Sequence, residues 1–262
     1  MPSNIPLVVK IGGSTLGSAD TSFQDIVALQ KQGRIPVVVH GGGPIITQWM
    51  QKQGLAPTFI RGLRVTDAPS LDIVVAVLTG LINKQLVATV MALGGKAVGL
   101  SGADSAMLQC VIADPDLGLV GEVVSVNPEP VLALVEQGYI PLIAPVGIRL
   151  PEKPGDACTL LNINGDTAAG HLAHALGAQR LVFLTDVEGV MDTDKRVFQR
   201  LTTKSARELI RSGTAAGGMI PKLEACIKAL ERVPAARILD GRQPGAILRA
   251  LGEGSEGTWV VG

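Results

Sequence analysis

Two stretches of this chain decide its fold: PLVVKIGG at residues 6–13 and IPVVVHGGGP at residues 35–44. Each contains a short apolar run rich in β-branched residues, at residues 6–11 and 35–39, and consecutive glycines close behind it. Apolar runs without period-two alternation are typical of parallel strands that are buried on both faces. Pro44 suits the first turn of a following helix. The two stretches therefore predict buried strands that pass through glycine-rich turns.

The alternation of strand and helix continues along the whole chain. Further strands are predicted at Ala97–Leu100, Ile140–Ala144, Arg180–Leu184, Ala236–Leu239 and Thr258–Val261. Helices are predicted at Asp20–Gln32, Pro128–Gln137, Asp166–Leu176, Thr203–Arg211 and Gly218–Glu231. Repeated β–α units favour a mainly parallel sheet with helices on both faces, because each crossover places its helix on one face. The predicted fold class is α/β, a three-layer αβα sandwich.

Three segments depart from this alternation. Met107–Val126 and Gly147–Leu161 contain short β-like pieces around proline and glycine, and they are predicted to be hairpins inserted into the parallel framework. The helix predicted at Pro69–Leu93 is apolar around most of its circumference, so it must be buried somewhere. Burial in the core and burial in a subunit interface explain it equally well.

The composition indicates a globular protein. Of the 262 residues, 47% are hydrophobic and 18% are charged, whereas disorder needs low hydrophobicity and high net charge. Lys plus Arg number 23 and Asp plus Glu number 23, so the formal net charge is zero. A balanced chain lacks the long-range field that draws proteins to nucleic acids or anionic membranes. We therefore expect no nucleic-acid partner.

The sequence also predicts a soluble cytoplasmic protein with no membrane partner. Its N-terminus has no basic stretch followed by an apolar segment and a cleavage site, so we expect no secretory signal. The most apolar region, Leu71–Leu93, is interrupted by Asp72 and by Asn83-Lys84-Gln85, so neither half would span a bilayer. The widely spaced cysteines are expected to be reduced core thiols: Cys110, Cys158 and Cys226.

The glycine-rich strand ends are candidate anion sites. In an open parallel sheet, ligands bind beyond the carboxyl ends of the strands, and glycines let backbone N–H groups approach a phosphate. A single such loop is more often only a tight turn, but two at neighbouring strand ends favour a site. Lys10 lies in a buried strand pattern and needs an anionic partner. Lys222 follows Gly217-Gly218 and Pro221 at a helix start, where a bound anion would stabilise it; it could instead face solvent.

Two further segments open onto the same edge of the predicted sheet. Asn162-Ile-Asn164-Gly165-Asp166 carries ordinary capping residues, yet a carboxylate there could also hold two lysines in position. Leu184–Val190 is a strand end followed by a turn that could receive a nucleotide.

Several familiar signatures are missing. The sequence has no GxxxxGK[ST] loop and no HRD or DFG segment, and the GxGxxG-like letters at residues 252–257 have no helix to follow them. His171 and His174 lie three residues apart but lack a third ligand, so no metal site is predicted.

Taken in order, the segments resemble the amino acid kinase family from end to end. They are KIGG (10–13), VHGGGP (39–44), GLRVTD (62–67), GLSG (99–102), NINGD (162–166), LTDVEGV (184–190) and GGMIPK (217–222). The resemblance implies an N-terminal lobe for substrate binding and dimerisation, residues 1–177, and a C-terminal lobe for ATP binding, residues 178–262. GLRVTD further indicates a member that uses ATP to phosphorylate the γ-carboxylate of N-acetyl-L-glutamate in arginine biosynthesis.

The resemblance also implies roles for individual residues. The catalytic residues would be Lys10 and Lys222, which stabilise the transferring phosphoryl group, and Asp166, which orients both. The substrate would be bound by Gly42, Gly43, Arg64 and Asn162, with Arg64 on the α-carboxylate. ATP would be bound by Gly12, Gly13, Asp186, Val187, Glu188, Gly189, Val190, Met191, Thr214, Ala215 and Ala216.

The chemistry agrees with these implied roles. A γ-carboxylate with a pKa of about 4.3 is already ionised at neutral pH, so no general base is needed. The difficulty is bringing two anions together, which lysines, backbone amides and Mg²⁺ overcome. An arginine suits the α-carboxylate because its planar fork can bond both oxygens. With no carboxylate cluster in the sequence, Mg²⁺ is expected to be carried mainly by the ATP phosphates.

The sequence departs from the family pattern in a few places. Gly165 stands where alanine is common, and Ala103-Asp104-Ser105-Ala106 after GLSG is less typical. Relatives inhibited by arginine carry an extra N-terminal helix, for which the nine residues before Lys10 leave no room, so we expect a homodimer without arginine feedback. The alternatives are a kinase of an aminoadipate derivative or aspartate, and a non-catalytic nucleotide sensor of the same fold.

Overall fold

The computed structural model describes residues 6–12, 21–151, 153, 157–252, 254 and 256–262. Its strands are β1 Leu7–Ile11, β2 Pro36–His40, β3 Phe59–Ile60, β4 Leu63–Arg64, β5 Ala97–Ser101, β6 Leu108–Ile112, β7 Gly121–Val126, β8 Ile140–Ala144, β9 Val146–Arg149, β10 Thr159–Asn162, β11 Arg180–Thr185, β12 Arg200–Thr202, β13 Ala235–Asp240 and β14 Thr258–Val261. Its helices are α1 Ser22–Lys31, α2 Gly43–Lys52, α3 Ala68–Val75, α4 Asn83–Ala92, α5 Glu129–Glu136, α6 Gly165–Leu176, α7 Thr203–Arg211, α8 Met219–Ala229 and α9 Ala246–Leu251.

An eight-stranded sheet forms the middle layer, in the order β12-β14-β13-β11-β1-β2-β8-β5. From β13 to β5 every neighbouring pair is parallel, which confirms the predicted α/β sandwich. β14 pairs antiparallel with β13 and parallel with β12, so these two strands run against the rest of the sheet. All five residues of β1, β2 and β8 are buried, as expected for strands covered by helices on both faces.

The two predicted hairpins are present, and they join into a separate sheet. β6 pairs antiparallel with β7, and β9 pairs antiparallel with β10. A parallel contact between β6 and β9 links the hairpins in the order β10-β9-β6-β7. Because β10 ends at Asn162 and α6 begins at Gly165, this second sheet sets where α6 starts.

The long apolar helix is continuous but not uniform. Between α3 and α4 the segment Ala76–Ile82 is a π-helix. The span Ala68–Ala92 is, within the described residues, the one helix long and apolar enough to cross a membrane. Val74, Leu78 and Ile82 are nevertheless buried in the protein core, so core packing accounts for that face.

The cysteines are free thiols, but they do not share one environment. Cys110 and Cys226 are buried, as expected. Cys158 is exposed, so the expectation that it is a core thiol was wrong. It lies just before β10, in a segment whose apolar residues are too few to define a buried position.

Candidate active site

A cavity of about 460 Å³ lies where three helices begin beside the carboxyl ends of β1, β2 and β10. Its lining includes the first residues of α2 and α6 and Gly218, which precedes α8. The N-terminus of a helix has unpaired N–H groups and a positive dipole end, so each start favours an anion. The lining also contains three cationic side chains against one carboxylate, a formal excess of two positive charges: Lys10, Arg64 and Lys222 against Asp166.

Asp166 holds the two lysines together at the floor of this cavity. Its Oδ1 forms an ion pair with Lys10 Nζ at 2.7 Å, and its Oδ2 accepts a hydrogen bond from Lys222 Nζ at 3.0 Å. Burial of Asp166 by itself would raise its pKa, but the two ammonium groups outweigh burial and hold the pKa below its ordinary value. The carboxylate is therefore ionised and lies between two cations that would otherwise repel each other.

Close packing of two helices brings Asp166 and Lys222 within reach. A Cβ added to Gly170 on α6 would lie 2.8 Å from Ala225 Cα on α8, so the two helices can approach this closely only with glycine there. Asp166 and Lys222 each lie about one turn before these contact residues. Gly170 was not predicted as a site residue, and a glycine in the middle of a helical pattern was the signal for it.

Arg64 is a buried cation on the wall of the same cavity. Its guanidinium donates to Gly43 O at 3.1 Å and to Thr47 Oγ1 at 2.9 Å, and it lies 4.8 Å from the centre of the Phe59 ring. Within the described part of the chain, no carboxylate lies within 4.0 Å of Arg64, although the side chain is only 8% exposed. Burial lowers its pKa below the ordinary arginine value. A buried arginine that lines a cavity and has no carboxylate paired with it is suited to binding an anionic ligand.

The remaining predicted substrate residues complete the wall. Gly42 and Gly43 are the N-cap and first residue of α2, so their N–H groups have no intrahelical acceptor. A Cβ at Gly42 would collide with Leu78 and Ile82, whereas the space beside Gly43 is open. Asn162 Nδ2 donates to Thr66 Oγ1 at 3.0 Å, which fixes its carboxamide at the end of β10. The structure thus brings the seven predicted catalytic and substrate residues into one cavity.

None of the predicted ATP residues that the structure describes lines that cavity. Asp186 to Met191 follow β11, and Thr214 to Ala216 lie between α7 and α8. Val190 is buried, its N–H donates to Thr258 Oγ1 and its carbonyl accepts from the Phe198 N–H, so its backbone is already hydrogen-bonded within the protein. The Gly12 N–H donates to Leu184 O at 3.3 Å, and Gly13 lies outside the described residues. Glu188 lines a second cavity of about 610 Å³ with residues near the carboxyl end of β13.

No group of three or more His, Cys, Asp or Glu side chains suited to a metal ion occurs in the portion of the chain described. Both oxygens of Asp166, the carboxylate in the cavity lining, are engaged by lysines. His171 and His174 lie in another groove with Lys228 and Arg232, and His174 Nδ1 is 3.6 Å from Glu231.

Residues 6–240 match the family described as the amino acid kinase family, and the chain belongs to that family. At the level of single proteins, it is 45% identical over 260 residues to the acetylglutamate kinase of Dehalococcoides mccartyi, covering 99% of this chain and 96% of that one. It is 47% identical over 249 residues to the acetylglutamate kinase of Dinoroseobacter shibae, covering 94% and 85%. The carbamate kinase of Giardia lamblia bound to AMP-PNP is 17% identical and shares the fold, with a TM-score of 0.72 and coverage of 100% and 99%.

Proposed function

We propose that this protein transfers the γ-phosphoryl group of ATP to the γ-carboxylate of N-acetyl-L-glutamate, giving N-acetyl-L-glutamyl 5-phosphate in arginine biosynthesis. The observation that carries the proposal is a single cavity containing both a lysine–aspartate–lysine cluster and a buried arginine that has no carboxylate partner among the residues described. The first suits the α-carboxylate of an amino-acid derivative, and the second suits a transferring phosphoryl group. Full-length similarity to proteins named acetylglutamate kinase selects the substrate.

The cavity supplies what this reaction needs. The acceptor carboxylate is ionised at neutral pH, so catalysis consists mainly of positioning and charge stabilisation. Lys10 and Lys222 would neutralise the charge on the transferring group, and Asp166 would hold both in place. The N–H groups of Gly42 and Gly43 would donate to oxygens of the reacting groups. Arg64 would bind the α-carboxylate and Asn162 the amino-acid end.

The nucleotide would lie on the segments that follow β11 and precede α8. The proposed ATP residues are Gly12, Gly13, Asp186 to Met191 and Thr214 to Ala216. Mg²⁺ would be carried by the ATP phosphates, since Asp166, the carboxylate lining the cavity, has both oxygens bound to lysines.

We further propose a cytoplasmic homodimer without arginine feedback, with the lobes dividing at residues 177 and 178. The exposed part of the long apolar helix, which includes Met91 at 62% exposure, supports burial against a second copy. Mass measurement in solution tests this assembly. A hexamer, or strong inhibition by arginine, would overturn it.

The test of function is formation of an acylphosphate from ATP, trapped with hydroxylamine. Four acids are compared: N-acetyl-L-glutamate, glutamate, aspartate and N-acetyl-aminoadipate. We expect product with N-acetyl-L-glutamate alone. Product with another acid would keep the chemistry and reject the substrate, whereas no product with ATP still bound would favour a nucleotide sensor.

A further inference from the structure

Asn83 is a buried residue whose carboxamide contacts three strands of the central sheet. It is 1% exposed, and its Nδ2 lies 2.8 Å from Leu142 O of β8, 3.3 Å from Leu100 O of β5 and 3.1 Å from His40 Nε2 of β2. Its Oδ1 accepts a hydrogen bond from Lys84 Nζ at 3.0 Å. Because carbonyl oxygens only accept, the atom that faces them must be the NH₂ group. A hydrogen on His40 Nε2 would point at the same NH₂ group, donor against donor, so Nε2 carries no hydrogen and is available as an acceptor.

The π-helix explains how Asn83 reaches this position. Its N–H donates to the carbonyl of Leu78, five residues earlier, which is the hydrogen bond of a π turn. Leu78 and Ile82 occupy the space in which a Cβ of Gly42 would lie, at 2.7 and 2.5 Å. The widened turn thus presents Leu78, Ile82 and Asn83 together to the strand ends. π segments occur frequently at functional sites, and this one packs directly beneath the glycine loop of the candidate active site.

Fixing His40 Nε2 as an acceptor decides which nitrogen carries the proton. The neutral ring then carries its hydrogen on Nδ1, which lies 3.1 Å from Gly41 O and donates to it. His40 is fully buried, and burial, with smaller effects of the nearby Lys10 and Lys84, lowers its pKa to about 4. Asp166 is ion-paired to Lys10. The imidazole is therefore neutral and a single tautomer throughout the physiological pH range.

The Nδ1–H bond controls the peptide between Gly41 and Gly42. In a trans peptide the carbonyl and the following N–H point in opposite directions. Holding Gly41 O toward His40 consequently turns the Gly42 N–H away from the ring, and Gly42 lines the cavity with Lys10 and Lys222. An N–H held in place before the substrate arrives needs no reorganisation during reaction.

We propose that Asn83 and His40 are positioning residues for phosphoryl transfer: the carboxamide selects the tautomer of the imidazole, and the imidazole orients the Gly42 N–H toward the reacting oxygens. The inference rests on the proposed function, and it gives a role to a histidine that the reaction itself does not require.

The test compares Asn83→Asp with Gln85→Glu, the same amide-to-carboxylate change at an exposed position of α4. In Asn83→Asp the carboxylate raises the pKa of His40. Below that pKa the imidazolium keeps its Nδ1–H; above it the single proton stays on Nε2, facing the carboxylate, and the bond to Gly41 is lost. We expect kcat of Asn83→Asp to fall about tenfold or more as the pH rises through this ionisation, with KM little changed. Wild type and Gln85→Glu should show no such step.

Two further measurements keep the outcomes distinct. Nitrogen NMR of the His40 ring, which needs no substrate, should find Nε2 unprotonated in the wild type and protonated in Asn83→Asp at neutral pH. His40→Asn, which retains a donor near Gly41 O, should keep kcat within about fivefold, whereas His40→Leu should lose about 100-fold. An unchanged tautomer or pH profile in Asn83→Asp, or full activity in His40→Leu, would overturn the proposal.

If Asn83→Asp does not fold, the comparison of kcat between His40→Asn and His40→Leu tests the proposal. A wild type inactive on all four acids would reject the proposed function, while the NMR result would still decide the tautomer.

Discussion

Replacing Asp166 by asparagine removes one negative charge from between two ammonium groups and changes almost nothing in shape. Asp166 is 4% exposed and Lys10 is 7% exposed, so neither can turn to water without opening the cavity. Breaking a buried ion pair by removing one partner costs about 3–5 kcal/mol. The Lys222 side chain is 16% exposed and can partly rehydrate. We therefore expect the variant to lose about 3 kcal/mol of unfolding free energy at pH 7.

The pH dependence of that loss has a definite sign. The folded-state pKa of Asp166 lies below its ordinary value of 3.8, so its contribution to stability is present above that pH. As the pH falls below about 4, the wild type loses the contribution and the two proteins converge in stability. The variant should also lose about 100-fold in kcat, because the lysines are no longer held at the reacting group.

Urea unfolding from pH 3 to 8, combined with the hydroxylamine assay, measures both effects. Asp114→Asn is the matched control, because Asp114 caps a short turn by accepting from the Asp116 N–H and asparagine caps equally well. It should change stability by less than about 0.5 kcal/mol. Equal urea midpoints for wild type and Asp166→Asn at pH 7, with kcat within threefold, would refute the idea that Asp166 holds the lysines.

Three further substitutions test separate parts of the cavity. Lys222→Ala should lower kcat by at least about 100-fold while changing ATP affinity much less, as kinetics and ATP titration would reveal; a loss of ATP affinity alone would make it a binding group. Arg64→Ala should raise the KM for N-acetyl-L-glutamate by about 10- to 100-fold, since about 1.5–3 kcal/mol is lost with a charge-assisted bond; an unchanged KM would mean a different substrate. Gly165→Ala should stabilise the protein by about 0.4–1 kcal/mol, because the new Cβ would meet Lys10 Cε at an ordinary 3.4 Å; destabilisation in urea would contradict this fit.

The inner strands of the central sheet were predictable because both of their faces are buried. Runs such as those at residues 7–11, 36–40 and 180–185 have no polar alternation to confuse them with surface strands, and their predicted bounds lie within one or two residues of the observed ones. β12 was not predicted, since both its outer residues are exposed and only Leu201 is buried. The antiparallel direction of β14 was not predicted either, because a strand pattern carries no sign of its direction.

Within the site, the sequence revealed charges more readily than contacts. Lys10 was conspicuous because a lysine in a buried apolar run requires an anion, and Asp166 was conspicuous as a carboxylate at a helix start that could hold two lysines. The stack of Arg64 on Phe59 was not predicted, since it depends on how β3 and β4 fold back on each other. The roles assigned to the individual ATP residues came from the resemblance, with only the turn after the strand at 180–184 indicated by the sequence pattern itself, and they remain predictions.

The π-helix marks the limit of sequence reasoning most clearly. Residues 69–93 have an apolar pattern that suits an α-helix throughout, and a π segment differs from it by one hydrogen-bond step that leaves no compositional trace. Yet this change of hydrogen-bond partner in the π-helix places the Asn83 side chain against three strands at once. A polar residue in the middle of an apolar helix looked like an interruption that prevents membrane insertion. In the folded protein its carboxamide is satisfied by β2, β5 and β8 together, and this satisfaction is a tertiary property. The same residue therefore explains why the helix belongs in the core and how the glycine loop of the cavity is held.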